Sequence, residues 1–203
     1  MKYKLGISTC PNDTFMFDAM LNGKIDTGIY DFEAYLADVE QLNQMAFSGE
    51  TDITKLSYHS YFKVSEKYQL LNSGSALGNN CGPLIISKRK IYPNELKNCK
   101  IAIPGQNTTA NLLMKVFFSE AINKSVYLFS DIEDCVLSGE CDAGLVIHET
   151  RFSYQQRGLK LVKDLGCMWE ERFALPIPLG GIAIKRDIPQ TDKRAIDLIL
   201  KES

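Results

Sequence analysis

Two histidines and two short polar clusters carry the side chains in this chain that could do chemistry. His148 closes the run Gly144-Leu145-Val146-Ile147-His148, so an apolar strand delivers it at its C-terminal end, ahead of Glu149-Thr150-Arg151. Open α/β sheets bind ligands at that end of their strands, and an imidazole that titrates near neutrality is the usual general base there. The competing reading of the same residue is a hydrogen-bonded structural histidine. His59 lies in Tyr58-His59-Ser60-Tyr61-Phe62, where helical and aromatic neighbours favour packing. Asn12-Asp13-Thr14 and Asn107-Thr108-Thr109 each follow a short apolar strand and open a helical pattern. Their side-chain oxygens suit helix N-caps, and hydroxyls beside a helix terminus equally suit a carboxylate ligand.

Other chemistries find no foothold. There is no GxSxG elbow, no GxxxxGK[ST] phosphate loop and no HExxH, and Gly74-Ser75-Ala76-Leu77-Gly78 with Cys81-Gly82 lacks the strand-to-helix setting of a dinucleotide site. The six cysteines (10, 81, 99, 135, 141 and 167) show no CxxC spacing, and with two histidines a zinc site is not expected; reduced thiols are. Glu170 and Glu171 beside Trp169 read as a charged helix start rather than a catalytic pair. Lys plus Arg at 23 against Asp plus Glu at 25 gives a net charge of -2, with no like-charge block beyond Lys88-Arg89-Lys90, which argues against a nucleic-acid partner. No apolar run reaches the roughly 18 to 20 residues of a membrane span, and no secretory signal pattern opens the chain.

The elements that must position these residues occur twice. Lys4-Leu5-Gly6-Ile7-Ser8, a polar loop and Phe15 to Leu21 read as strand, loop and helix; so do Lys100-Ile101-Ala102-Ile103-Pro104, Gly105 to Thr109 and Ala110 to Ala121. The segment Met45-Ala46-Phe47-Ser48-Gly49-Glu50-Thr51-Asp52-Ile53 matches Cys135-Val136-Leu137-Ser138-Gly139-Glu140-Cys141-Asp142-Ala143. In each, a helix ends at a glycine C-cap and an aspartate opens a strand. The repeat predicts two related α/β lobes around mixed sheets, with a cleft between them. Gly82 to Lys88 is the expected outward crossing and Pro176 to Ile184 the return, which puts lobe 1 at 1–87 plus 180–203 and lobe 2 at 88–179.

Cys10-Pro11-Asn12-Asp13-Thr14-Phe15, Asp52 to Ser57, Gly74 to Gly78 with Cys81 to Leu84, Thr108 to Leu113, Gly144 to Glu149 and Pro176 to Gly181 together resemble the 1,4-dihydroxy-6-naphthoate synthases of the futalosine route to menaquinone. The likeness runs in order from residue 4 to about residue 187. It implies a two-lobed type II periplasmic-binding-protein-like α/β fold with a central cleft and two crossover strands, in a cytoplasmic enzyme. It also implies a small-molecule carboxylate substrate, cyclic de-hypoxanthine futalosine, converted to 1,4-dihydroxy-6-naphthoate and dihydroxyacetone with no metal or organic cofactor. His148 matches the family's proton-abstracting base; Lys55, Leu56 and Ser57 match one substrate-binding strand end, and Thr108 with Thr109 the binding loop of the other lobe. Asn12 is a further candidate substrate contact. The family's chains continue past the Gly180-Gly181 strand with further helices. This chain stops at Ser203 in a helical segment, Asp192 to Lys201, without a terminal Gly or Asn, so the rest of lobe 1 is expected to be missing. Two alternatives share the fold: a chorismate dehydratase of the same pathway, and a solute-binding protein that needs no base.

Overall fold

The computed structural model describes residues 1–79 and 81–203. In chain order its elements are β1 (Lys2–Ser8), α1 (Pro11–Leu21), β2 (Asp31–Ala37), α2 (Val39–Ser48), β3 (Ile53–Ser57), α3 (Tyr58–Val64), β4 (Tyr68–Leu70), β5 (Ala76–Gly78), β6 (Leu84–Ser87), β7 (Ile101–Ile103), α4 (Thr109–Phe117), β8 (Lys124–Val126), α5 (Ile132–Ser138), β9 (Ala143–Val146), α6 (Thr150–Ser153), β10 (Lys160–Asp164), α7 (Leu165–Phe173), β11 (Ile177–Lys185) and α8 (Gln190–Glu202). They form two compact units, one of Met1–Ala76 with Gly180–Ser203 and one of Leu77–Leu179. Among the described residues no helix is long and apolar enough to cross a membrane, and all six cysteines are free thiols.

The internal repeat is visible bond by bond. In the first unit β1 runs parallel to both β2 and β3, and β3 is antiparallel to β11, in the order β2-β1-β3-β11-β4. In the second unit β7 runs parallel to both β8 and β9, and β9 is antiparallel to β6, in the order β10-β6-β9-β7-β8. Leu5 faces Ile53 in one register and Ile101 faces Ala143 in the other. The matched aspartates do the same work in each. Asp52 accepts the Lys4 N–H on its carboxylate at 2.9 Å and returns its own N–H to the Lys4 carbonyl. Asp142 does this with Lys100, at 2.8 Å. Each aspartate thereby ties the start of its own strand, β3 or β9, to the neighbouring parallel strand, and the helix before it ends on a left-handed glycine, Gly49 at φ 74 and Gly139 at φ 82, a conformation that costs a side-chain-bearing residue about 1–2 kcal/mol.

Each unit has its own core. Leu5, Ile7, Phe17, Ile53, Ile182 and Ile196 close one face of the first sheet, and Ala46, Leu56, Val64 and Tyr68 the other. In the second unit Ile85, Ile101, Ile103, Leu113 and Leu145 lie on one face and Leu84, Ile86, Ala102, Ile132 and Val136 on the other. Helix α5 presses directly on β9: a Cβ built on Gly144 would lie 2.6 Å from Ile132 Cγ2 and 2.9 Å from Val136 Cγ2. Gly144→Ala is therefore expected to destabilise the protein by about 1–3 kcal/mol through overpacking, read as a lowered urea midpoint.

Three sequence expectations change. The chain leaves the first unit after Ala76 and not after residue 87, because Leu84–Ser87 is a fully buried strand between β9 and β10. Glycine and proline bracket this segment as they would a linker, yet the four residues are apolar enough, and buried on both faces, to be sheet interior. The return falls between Leu179 and Gly180. Glu170 and Glu171 lie in the second half of α7, whose start is capped instead by Asp164, accepting from Gly166 and Cys167 N–H. The final helix begins at Gln190, two residues before the expected Asp192.

Candidate active site

In the first unit the candidate residues gather at the C-terminal ends of the parallel strands β1 and β3. Ser57 ends β3 and is held by Asn43 of α2: the Ser57 N–H donates to Asn43 Oδ1 at 3.0 Å, and Asn43 Nδ2 donates to Ser57 Oγ at 3.3 Å. With the Ser57 oxygen accepting from Asn43, its hydroxyl still has a proton to donate. Lys55, two residues earlier, is 14% exposed and reaches Asp13 Oδ1 at 2.5 Å. Asp13 also accepts from the Ser8 hydroxyl at 2.6 Å and the Ser8 N–H at 3.3 Å, and its side chain is only 2% exposed. The Lys55 stem crosses Gly180 of β11, where a Cβ would stand 3.2 Å from Lys55 Cε and 3.0 Å from the Leu56 carbonyl. The absence of a side chain at Gly180 thus makes room for the Lys55 stem.

One expectation in this unit needs correction. Asn12 is not a helix cap: α1 starts at Pro11 with Cys10 as its N-cap, and Asn12 is exposed in the first turn. The proline ring fixes the first helical residue, moving the cap two positions back. The Leu56 side chain is fully buried in the core with Ala46, Val64 and Tyr68, so its backbone is what it presents at this strand end. His59 stands half-buried on α3.

The second unit repeats the arrangement at the ends of β7 and β9. Thr108 is the N-cap of α4, its hydroxyl accepting the Asn111 N–H at 3.2 Å and donating to the Gly105 carbonyl at 3.0 Å. Thr109 donates its hydroxyl to the Leu179 carbonyl at 2.7 Å. Both threonine protons are thus committed to backbone carbonyls, and the two side chains fix the start of α4. Asn111, fully buried, ties the loop further by donating to the Gln106 carbonyl at 2.9 Å and accepting from Lys124 Nζ at 3.2 Å. Burial, aided by the Lys115 charge, holds Lys124 below the ordinary lysine value. Thr108→Ala should cost about 1 kcal/mol, the usual loss for an N-cap, measured by chemical denaturation.

His148 stands two residues past β9, half-buried, with φ 58. Its ring meets the edge of Phe129 at a centroid distance of 5.3 Å and 65°. Histidine enters the left-handed region more readily than most residues, but the conformation still costs about 1–2 kcal/mol. Such strain marks positions where the direction of a side chain matters.

Ser8, Asp13, Asn43 and Arg151 were not singled out by sequence reasoning. Asn43 carried a usable signal, a polar residue on the buried face of α2 between Leu42 and Ala46. Asp13 was noted only among possible caps.

The menaquinone biosynthesis family model matches residues 3–203. A 1,4-dihydroxy-6-naphthoate synthase from Thermus thermophilus is 41% identical over 200 residues, covering 98% of this chain and 72% of that protein. One from Streptomyces coelicolor is 38% identical over 190 residues, covering 91% of this chain and 66% of that protein. Among solved structures, protein AF1704 from Archaeoglobus fulgidus aligns with a TM-score of 0.93 at 38% identity, over 99% of this chain and 74% of that one. The alkanesulfonate-binding protein SsuA from Xanthomonas axonopodis pv. citri, solved with MOPS, aligns with a TM-score of 0.75 at 11% identity, over 99% of this chain and 72% of that one. The last likeness shows the periplasmic-binding-protein-like fold.

Proposed function

The chain belongs to the menaquinone biosynthesis family, and from that premise we propose that it converts cyclic de-hypoxanthine futalosine to 1,4-dihydroxy-6-naphthoate with release of dihydroxyacetone. The observation that carries the chemistry is His148, presented on a left-handed turn just beyond β9. A neutral imidazole there takes a carbon-bound proton, and aromatisation of the product pulls the reaction forward. Ser57, its oxygen already engaged by Asn43, donates to the substrate carboxylate. Thr108 and Thr109 act through the start of α4, which their side chains fix. Lys55, already paired with Asp13, adds local positive charge and hydrogen bonds but brings no uncompensated cation. A cytoplasmic location is proposed on the resemblance alone.

The test is mass spectrometry of the products after incubation with cyclic de-hypoxanthine futalosine. Naphthoate and dihydroxyacetone in equal amounts support the proposal. Ligand-induced stabilisation without product would favour a solute-binding protein, and turnover of chorismate in a parallel incubation would favour the dehydratase.

A further inference from the structure

A histidine held at φ 58 needs surroundings that over-determine its turn, and α6, at four residues, is too short to hold itself. Arg151 supplies one such constraint. Its N–H donates to the His148 carbonyl at 3.4 Å, closing the turn that leads into α6. Its guanidinium, 14% exposed, forks onto two acceptors from distant parts of the unit: Nη1 reaches the Gly82 carbonyl at 2.8 Å and Nη2 reaches Asp164 Oδ2 at 3.2 Å. The other oxygen of Asp164 accepts from Gly166 N–H at 2.7 Å and Cys167 N–H at 3.1 Å, so the same carboxylate caps α7.

The two glycines make this reach possible. A Cβ on Gly82 would lie 2.6 Å from Gly166 Cα, and one on Gly166 would lie 2.8 Å from Gly82 N. Only bare backbone lets the segment before β6 and the start of α7 touch, and that contact places the Gly82 carbonyl beside Asp164 within the span of one guanidinium. Replacing a buried, paired charge by apolar groups often costs little stability. What the pair contributes here is the location of the residue three positions upstream.

We propose that Arg151 is the positioning residue for His148, holding the imidazole where it takes the substrate proton through its clamp on Gly82 and Asp164. The proposal rests on His148 as the base. The chain has two histidines, so the ring resonances of His148 and His59 are resolved in a ¹H–¹³C spectrum, and the ring current of Phe129 makes the His148 signals sensitive to ring placement.

In Arg151→Ala the His148 resonances should move and broaden while those of His59 stay. Turnover should fall by about 10²-fold, the usual loss for a misplacement near 1 Å, with KM changed far less than kcat. Arg151→Lys keeps the charge but reaches one acceptor, so it should shift the same resonances less and recover part of kcat; it also serves if the alanine variant does not fold. Native His148 resonances in either folded variant overturn the proposal. Displaced resonances with parental kcat would keep the clamp and reject His148 as the base, which separates the two failures.

Discussion

Replacing His148 with asparagine should lower turnover by about 10² to 10⁴-fold, the usual contribution of a general base. Asparagine is the informative substitution because it tolerates the left-handed backbone that His148 adopts at φ 58. It keeps a polar group there but cannot take a proton at neutral pH. The side chain is half-buried and lies outside the apolar clusters, so its loss opens no core cavity. Circular dichroism and the urea midpoint should stay close to the parent while kcat collapses. A variant that keeps its rate within about tenfold of the parent, below the smallest typical loss of a base, would remove His148 from the mechanism.

Asp13→Ala is expected to destabilise the protein by about 3–5 kcal/mol, the cost of leaving one partner of a buried ion pair alone. The Lys55 ammonium would remain at 14% exposure without its carboxylate, and the Ser8 hydroxyl would lose its acceptor. Asp13→Ala combined with Lys55→Met should recover much of the loss, because two apolar groups in that space need no counter-charge. Urea unfolding of the single and double variants measures the coupling. If the double variant is as unstable as the sum of its parts, the ion pair is not what holds the ends of β1 and β3 together.

The repeat was the most legible part of the fold, and the reason is chemical. Gly49 with Asp52 and Gly139 with Asp142 perform backbone tasks, a left-handed helix end and a two-way bond to a strand start, that few other residues perform. Constraints of that kind leave a mark in one dimension. The place of His148 just past a strand was legible for a similar reason, since an apolar strand followed by an imidazole is a short-range pattern. The first unit boundary was not. Leu84–Ser87 is sheet interior because β9 and β10 flank it, and neither neighbour is close in sequence. The same holds for Asp13 with Lys55 and for Arg151 with Asp164, pairs whose partners meet only after the chain has folded. Thr108 and Thr109 were placed at the right helix start, but the carbonyls of Gly105 and Leu179 that take their protons could not be read from spacing.

The antiparallel strand β11 fixes an order of events during synthesis. Gly180 pairs with Ser57 and Ile184 with Ile53, so β3 emerges from the ribosome roughly 120 residues before its partner exists. At about 5–20 residues per second the delay is roughly 6–25 s, long compared with the milliseconds to seconds in which most small domains fold. The stretch Leu77–Leu179 carries all the strands of its own sheet and can close as soon as it is made. The first 76 residues meanwhile keep an open edge along β3, the kind of unpaired edge that invites wrong pairing. Translational pauses or holding chaperones acting between residues 57 and 180 would therefore affect the yield of folded protein more than any acting later.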